Sequence, residues 1–348
     1  MKKMNTENLL CSLVEIESVS GNELNIVNFL KDYFNKMGFT AKIDGRNLIC
    51  EIGSGKKAIL LNSHLDTVPA CPGWTFEPFK AKKIDGNIYG LGSNDAKGCA
   101  ASMVNAFVSL EEKNLKGKAI IALTCDEETG GQGLEYIIKK ISKIDAAIVG
   151  EPTNLDICIA QKGNMILKIN SKGKSSHSSY PENGINAIYN ACGFIRAING
   201  IKFNKKHEML GLPTVAVTMI RGGIRTNVIP AECEFTVDIR STPRYNHEEL
   251  FNLIKNKLKG AVVKKHSTRL VPKETKKNEA IVKIAKNLLK SRLVGSSTMS
   301  DWVFLDCPAI KLGPGNSRMS HQANEHVEIK QLEKAVDSYK KIVSGFLS

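Results

Sequence analysis

The stretch ILLNSHLDTVPACPGW, residues 59–74, is an apolar strand that ends in His64 and Asp66, two residues apart and just ahead of Pro69 and Pro72. Side chains two apart on a strand share a face, so an imidazole and a carboxylate leave hydrophobic surroundings together. The pattern recurs along the chain. GKAIIALTCDEE ends in Asp126, Glu127 and Glu128, and IDAAIVGEP ends near Glu151. Asp95 follows the glycine-rich YGLGS, and His321 follows AIKLGPG. Gathered in one place, these carboxylates would repel one another and titrate abnormally unless a cation offset their charge. Two His with several Asp and Glu form a mixed N/O donor set that suits Zn2+, and also Co2+ or Mn2+, better than Ca2+ or a redox copper. With one bridging carboxylate, five such residues can hold two metals about 3.5–4 Å apart, the arrangement used in metal-assisted hydrolysis.

Each residue alone has a plainer reading: a core histidine for His64, an N-cap for Asp95, a solvated strand end for Glu127 and Glu128. Their joint placement, at strand ends or in glycine-rich loops, points to one site. In an open α/β sheet, ligands bind outside the carboxyl ends of the strands.

The elements that must position these groups can be read from the period of the apolar residues. Residues 5–37 give amphipathic helices broken at SVSGNE and ended by Gly38. AKIDGRNLICEIG and AKKIDGNIYGLGS are hairpins, turning at Asp44-Gly45 and Asp85-Gly86-Asn87. KAILLNSHLD, GKAIIALTCDEE and IDAAIVGEP are buried strands, with a helical stretch AKGCAASMVNAFVSLEEKN between the first two. From about residue 164 the style changes to alternating strands around helices near 184–199 and 247–259. This β-α-β-β-α-β order predicts a small ferredoxin-like insert. The expectation is an α/β chain. One domain, residues 1–163 and 274–348, has a mixed central sheet flanked by helices; an inserted α+β domain spans 164–273.

The 348 residues are 42% hydrophobic and 24% charged, ordinary for a globular protein. The start MKKMNTENLL is basic but has no apolar run before Glu7, so neither a signal peptide nor a membrane anchor is expected, and the location expected is the cytoplasm. Nine scattered cysteines without a CxxC pair argue for reduced thiols. The net charge of +14 comes from dispersed, mostly lysine pairs, which argues against nucleic-acid binding while favouring an anionic substrate or an acidic partner. GLGSND lacks the third glycine of a dinucleotide fingerprint, GSGKK is too short for a phosphate loop, and no GxSxG is present.

Taken in order, HLDT (64–67), YGLGSNDAKG (89–98), DEETGGQG (126–133), GEPT (150–153) and HQANEH (321–326) resemble the motifs of the M20 metallopeptidases, a family of co-catalytic zinc aminoacylases, deacylases and exopeptidases. The resemblance runs nearly end to end. GEPT is similar to the branch holding acetylornithine deacetylase and succinyl-diaminopimelate desuccinylase, and YGLGSNDAKG and HSSYPENGINAI (177–188) resemble the former most. The resemblance implies a di-zinc aminopeptidase-like catalytic domain and an inserted lid and dimerisation domain. By position it implies that His64, Asp95 and Glu151 bind one metal and that Asp95, Glu128 and His321 bind the other. It makes Glu127 the general base, expected to face away from Glu128 as adjacent residues of a strand do, Asp66 the residue that orients His64, and Asp126 structural. His177 would reach the active site across a homodimer and stabilise the oxyanion. Asn227 and Arg240 would contact substrate, Arg240 clamping a carboxylate, and Gly313 and Gly315 would let the backbone approach the acyl amide. Ala96, where relatives carry Met, and HQANEH depart from the common pattern near the acyl pocket.

The implied activity is removal of the acyl group from an N-acyl amino acid, N2-acetylornithine or N-acetylcitrulline first, as in arginine biosynthesis. Alternatives are succinyl-diaminopimelate desuccinylation, release of lysine or ornithine from an acidic amino-group carrier protein, or dipeptide hydrolysis. A binding protein on the same fold would be expected to lose Glu127 or a ligand, and every one is present.

Overall fold

The computed structural model describes residues 3–111 and 115–348; residues 112–114, at the end of the helical stretch expected after Asp95, lie outside them. The chain divides into two units. One comprises residues up to Ile159, Thr275–Val294 and Ser300–Ser348; the other comprises Ala160–Glu274 with Gly295–Met299.

The first unit is built on a mixed sheet. Its strands lie in the order Lys42–Asp44, Asn47–Gly53, Lys118–Thr124, Ala58–His64, Ala146–Val149, Ala309–Lys311 and Ile157–Gln161. Lys118–Thr124, Ala58–His64 and Ala146–Val149 run parallel side by side. Their carboxyl ends therefore reach the same edge. Ala58–His64 is buried along its whole length, as expected of a parallel strand covered on both faces. One face packs Leu60, Ile120, Ala122, Ala147 and Val149 against Leu134, Ile137 and Trp302. Among the helices, Lys97–Phe107 is buried all round and packs between the sheet, Thr6–Glu15 and Ile329–Phe346. Asn5 caps Thr6–Glu15 by accepting from the Asn8 N–H, and Leu24–Lys36 runs out ahead of Gly38 at φ 86°. Both expected hairpins are present, Asp44 pairing with Asn47 and Ile84 with Asn87.

The second unit has an antiparallel sheet in the order Thr214–Gly222, Glu232–Ser241, Gly163–Lys172 and Val262–Leu270, with helices Ala187–Asn199 and His247–Lys257. This is the β-α-β-β-α-β arrangement. Met165, Leu167, Ile169, Phe235, Val237 and Ile239, alternate residues of the two central strands, pack with Ala187, Ala191, Leu250 and Ile254 into one core. The intervening residues of those strands point to the other face, which is where Arg240 and Asp238 sit.

Candidate metal centre

His64 is the last residue of its strand and only 2% exposed. Its Nδ1 lies 3.0 Å from the Asp66 carbonyl oxygen and 3.4 Å from Asp66 Oδ1, while Nε2 lies 3.2 Å from Asp95 Oδ1. Asp66 is fully buried and does more than orient the ring. Its Oδ1 accepts from the Glu127 N–H at 3.1 Å, and its Oδ2 accepts from the Glu128 N–H at 3.1 Å and from Ser20 Oγ at 2.7 Å. One carboxylate thus ties the histidine to the two glutamates on the neighbouring strand's end.

Glu127 and Glu128 are not separated by strand alternation. The strand stops at Thr124, and residues 125–131 form a turn with Asp126 in the left-handed region at φ 56°. An extended pair could not present both backbone N–H groups to one carboxylate, because successive N–H groups of a strand point to opposite sides. The Arg46 guanidinium braces the turn by pairing with Asp126 and Glu23, and Glu23 Oε1 accepts from the Asp126 N–H. Asp126 thereby has a structural part.

Asp95 does not cap the helix after it. The N-cap is Ala96, with no side-chain cap bond, and the Asp95–Ala96 peptide is cis. The loop is held instead by Glu325, 1% exposed, whose Oε1 accepts from the Asp95 N–H at 2.8 Å and the Asn94 N–H at 3.0 Å, and whose Oε2 accepts from the Gly92 N–H at 3.1 Å. Glu151, two residues beyond Ala146–Val149, is 7% exposed. His321, at φ 62°, brings Nε2 to 2.9 Å from Glu128 Oε1 and 3.9 Å from Asp95 Oδ2.

Two triads result. Ligand atoms of His64, Asp95 and Glu151 lie within 4.8 Å of one another, and so do those of Asp95, Glu128 and His321. Asp95 belongs to both. The electrostatics ask for a cation. Burial pushes the Glu151 carboxyl up to about 8, with Asp95 and Glu128 adding to it and Lys311 and His64 opposing. Burial likewise pushes Glu127 up, reinforced by Glu151, Asp301 and Glu128 against His64. Asp95 is held below the usual carboxylate range despite its burial, because His64 hydrogen-bonds to it and His321 adds its field. The hydrogen bond that His321 donates to the Glu128 carboxylate lifts the imidazole to about 9. A set of buried carboxylates that raise one another, with two imidazole nitrogens aimed among them, fits divalent metal. A further acidic group, Glu23, Cys125 and Asp126, already has its cation in Arg46, and burial drives the Cys125 thiol up to about 12.

His177, Asn227 and Arg240 belong to the second unit. His177 pairs with Val228, and the Ser178 N–H donates to the Asn227 carbonyl at 3.0 Å, so the first two are neighbours. Arg240 pairs with Asp238, its Nε 2.9 Å from Oδ1. Gly315, in the first unit, has φ 87°, and a Cβ there would come within 2.3 Å of Asn94 Oδ1; a Cβ at Gly313 would meet Cys99 Sγ at 2.5 Å. Interior packing already requires both glycines, without appeal to an acyl group. Sequence reasoning missed Glu325, Arg46 and Asp301. Asp301 is 2% exposed, raised to about 7 by burial, and accepts from Thr124 Oγ1 at 2.7 Å. Glu325 stands within the quoted HQANEH, so proximity to His321 was its one available signal.

Fold and site together define a metal-dependent amide or peptide hydrolase. The chain belongs to peptidase family M20/M25/M40, whose model matches residues 60–345. Among solved structures it is similar to aminopeptidase PepT from Bacillus cereus, at 22% identity over 100% of both chains with a TM-score of 0.82. It is also similar to a tripeptidase from Staphylococcus aureus, at 24% identity over 99% of this chain and 100% of that one, TM-score 0.81. The YXEP protein of Bacillus subtilis, described as a dinuclear metal-binding M20 peptidase, matches at 15% identity over 98% and 97% of the two chains, TM-score 0.79. At these identities the likeness is one of fold.

Proposed function

We propose that the protein hydrolyses the linear amide of an N-acyl amino acid, N2-acetylornithine or N-acetylcitrulline before others. The observation that carries this reading is the convergence of His64, Asp95, Glu151, Glu128 and His321 on two triads that share Asp95, with Glu127 beside them. His64, Asp95 and Glu151 would hold one divalent metal and Asp95, Glu128 and His321 the other: two Zn2+, for which Co2+ or Mn2+ can substitute. Bound there, the metals supply Lewis-acid polarisation of the amide carbonyl and a lowered pKa for the attacking water. Glu127 takes a proton from that water as the C–O bond forms and returns it to the amide nitrogen as the C–N bond breaks. Water and amide are thereby consumed and a carboxylic acid and an amine released. Asp66 keeps the Glu127 backbone and the His64 ring in register through its hydrogen bonds. Arg240, oriented by Asp238, serves to clamp the substrate carboxylate, with Asn227 beside His177 completing the substrate contacts.

A homodimer through the inserted unit belongs to this reading. Thr214–Gly222 is an edge strand with Met219 and Ile220 half exposed, one on each face of the sheet, an edge that a second copy could extend. Among the described residues no helix is long and apolar enough to cross a membrane.

The test is amide hydrolysis by zinc- or cobalt-loaded protein on N-acetylornithine, N-acetylcitrulline, N-acetyllysine, succinyl-diaminopimelate and two dipeptides, with Glu127→Ala as control. Clear preference for one acetylated amino acid, lost in the variant, is the expected result. Preference for a dipeptide would overturn the deacylase reading in favour of a peptidase. Turnover of none of them by metal-loaded protein would shift the substrate to an amide presented on an acidic carrier protein, the partner toward which the +14 net charge points.

A further inference from the structure

We propose that Glu325 is a positioning residue that sets how tightly the Asp95-centred cluster takes divalent metal. The proposal rests on the reading of Asp95 as the shared ligand. Asp95 sits on a loop, not on a strand or helix, and the helix that follows gives it no cap bond. A ligand on an unbraced loop would lose orientational freedom on binding, and that cost would come out of metal affinity. The Glu325 carboxylate removes the freedom beforehand. It takes three N–H groups from four consecutive residues, Gly92, Asn94 and Asp95 among them, and it is almost wholly shielded from water. The Gly90 N–H also donates to the Glu325 carbonyl at 3.0 Å, and Ser93 Oγ donates to the same oxygen at 3.2 Å. Backbone and side chain of one residue therefore grip the loop from Gly90 to Asp95.

The grip also fixes spacing between ligands. Glu325 follows His321 by four residues, and Asn94, which it holds, accepts at Oδ1 from the Asn316 N–H at 2.7 Å and donates from Nδ2 to Ser320 Oγ at 3.3 Å. The loop carrying Asp95 and the loop carrying His321 are thus laced together through Glu325 and Asn94. Because Asp95 belongs to both triads, loosening it affects both metals. Outer partners of metal ligands typically change affinity by about 10–100-fold when removed.

The experiment compares zinc binding by calorimetry, and melting with and without zinc, for the full-length protein and for Glu325→Gln, Glu325→Asp and Glu325→Ala. Gln keeps one acceptor oxygen but turns an amide NH2 toward a backbone N–H, so both zinc steps weaken about tenfold. Ala removes all three acceptors and weakens both steps by up to about 100-fold. Asp keeps the charge but is one methylene short, and falls between. A role confined to folding would lower melting equally with and without zinc and leave the zinc constants at wild-type values in every variant that folds; that result would overturn the proposal. Should Ala fail to fold, Gln and Asp decide it. Failure of the wild-type protein to bind zinc, cobalt or manganese would instead overturn the ligand reading on which this one rests.

Discussion

The two units treat their chemical groups in opposite ways. In the first, His64, Asp66 and Glu325 are almost completely buried, and buried carboxylates fasten the backbone of the segments that carry Asp95, Glu127 and Glu128. In the second, His177 and Asn227 are exposed, joined by a two-stranded pairing and one backbone hydrogen bond, and Arg240 is fixed by a single acidic neighbour. A site that must hold charge in low dielectric needs its groups fixed in advance, since it cannot recover the cost of rearranging them during reaction. Groups that meet a ligand arriving from solvent, or a second copy of the chain, can remain open until it does. The contrast sets a buried, braced cluster in the first unit against open, solvent-facing groups in the second.

Substitution of Glu127 by Gln gives the largest effect. Glu127 groups with His64 and Glu128 but lies outside both triads that share Asp95; as the base rather than a ligand, its loss should lower kcat about 10²–10⁴-fold while zinc affinity stays near wild type. Calorimetry beside steady-state kinetics separates the two. A matching loss of zinc would make Glu127 a ligand and collapse the division of labour within the first unit. His177→Ala should follow, with kcat reduced about 10²–10³-fold, KM changed little and zinc constants intact. If His177 acts across a dimer, mixing the Glu127→Gln and His177→Ala proteins restores part of the activity that each lacks. No restoration would confine His177 to its own subunit.

How much of this contrast was legible beforehand depended on whether a residue acts through its own element or through something distant. Ala58–His64, Lys118–Thr124 and Ala146–Val149 are parallel strands covered on both faces, so they read as unbroken apolar runs, and charge at their ends stood out. Ferredoxin-like order in the insert was visible because the strands of its antiparallel sheet alternate. The turn at 125–131 was not legible, since Asp126 enters the left-handed region under the pull of Arg46 and Glu23, which lie far away in sequence. Glu325 gave no signal of its own because a carboxylate that serves backbone N–H groups needs no partner side chain. The amphipathic helix Ile329–Phe346, with Leu332, Ala335, Tyr339, Ile342, Val343 and Phe346 buried, carried a clear helical period but no chemistry, and reasoning led by chemistry passed over it.

Asp66→Asn sharpens the comparison from within the first unit. Asp66 serves both a ligand and the base, so its amide should weaken zinc about 10–100-fold and lower kcat as well. Arg46→Met, which unpairs Asp126 and Glu23 at the rim of the same turn, should lower kcat less and leave zinc nearly unchanged. Equal effects from the two would mean that the turn moves as one body, not that Asp66 has a special place in it.

The smallest effect belongs to the second unit, through His247. Its Nδ1 lies 2.8 Å from the Thr268 carbonyl oxygen, so that nitrogen carries the proton and donates, and Nε2, 2.8 Å from Ser241 Oγ, is left to accept. Burial lowers its pKa below the usual value near 6.5, although the bond to Thr268 opposes this. The unfolded chain therefore takes up a proton that the folded unit resists. Stability is at its full value above pH ~6.5 and is lost as pH falls from there toward the depressed folded pKa, with at most one proton's worth of slope. The buried carboxyls with raised pKa, such as Asp301, act in the opposite sense on both proteins, so the decline should appear as a difference: between about pH 7 and 5 wild type should lose stability relative to His247→Gln, which is the less stable of the two at pH 7. Zinc affinity at fixed pH should be the same in both proteins. An unchanged slope in His247→Gln relative to wild type would assign the titration elsewhere, whereas a change in zinc affinity would show that the substitution is felt beyond its own unit.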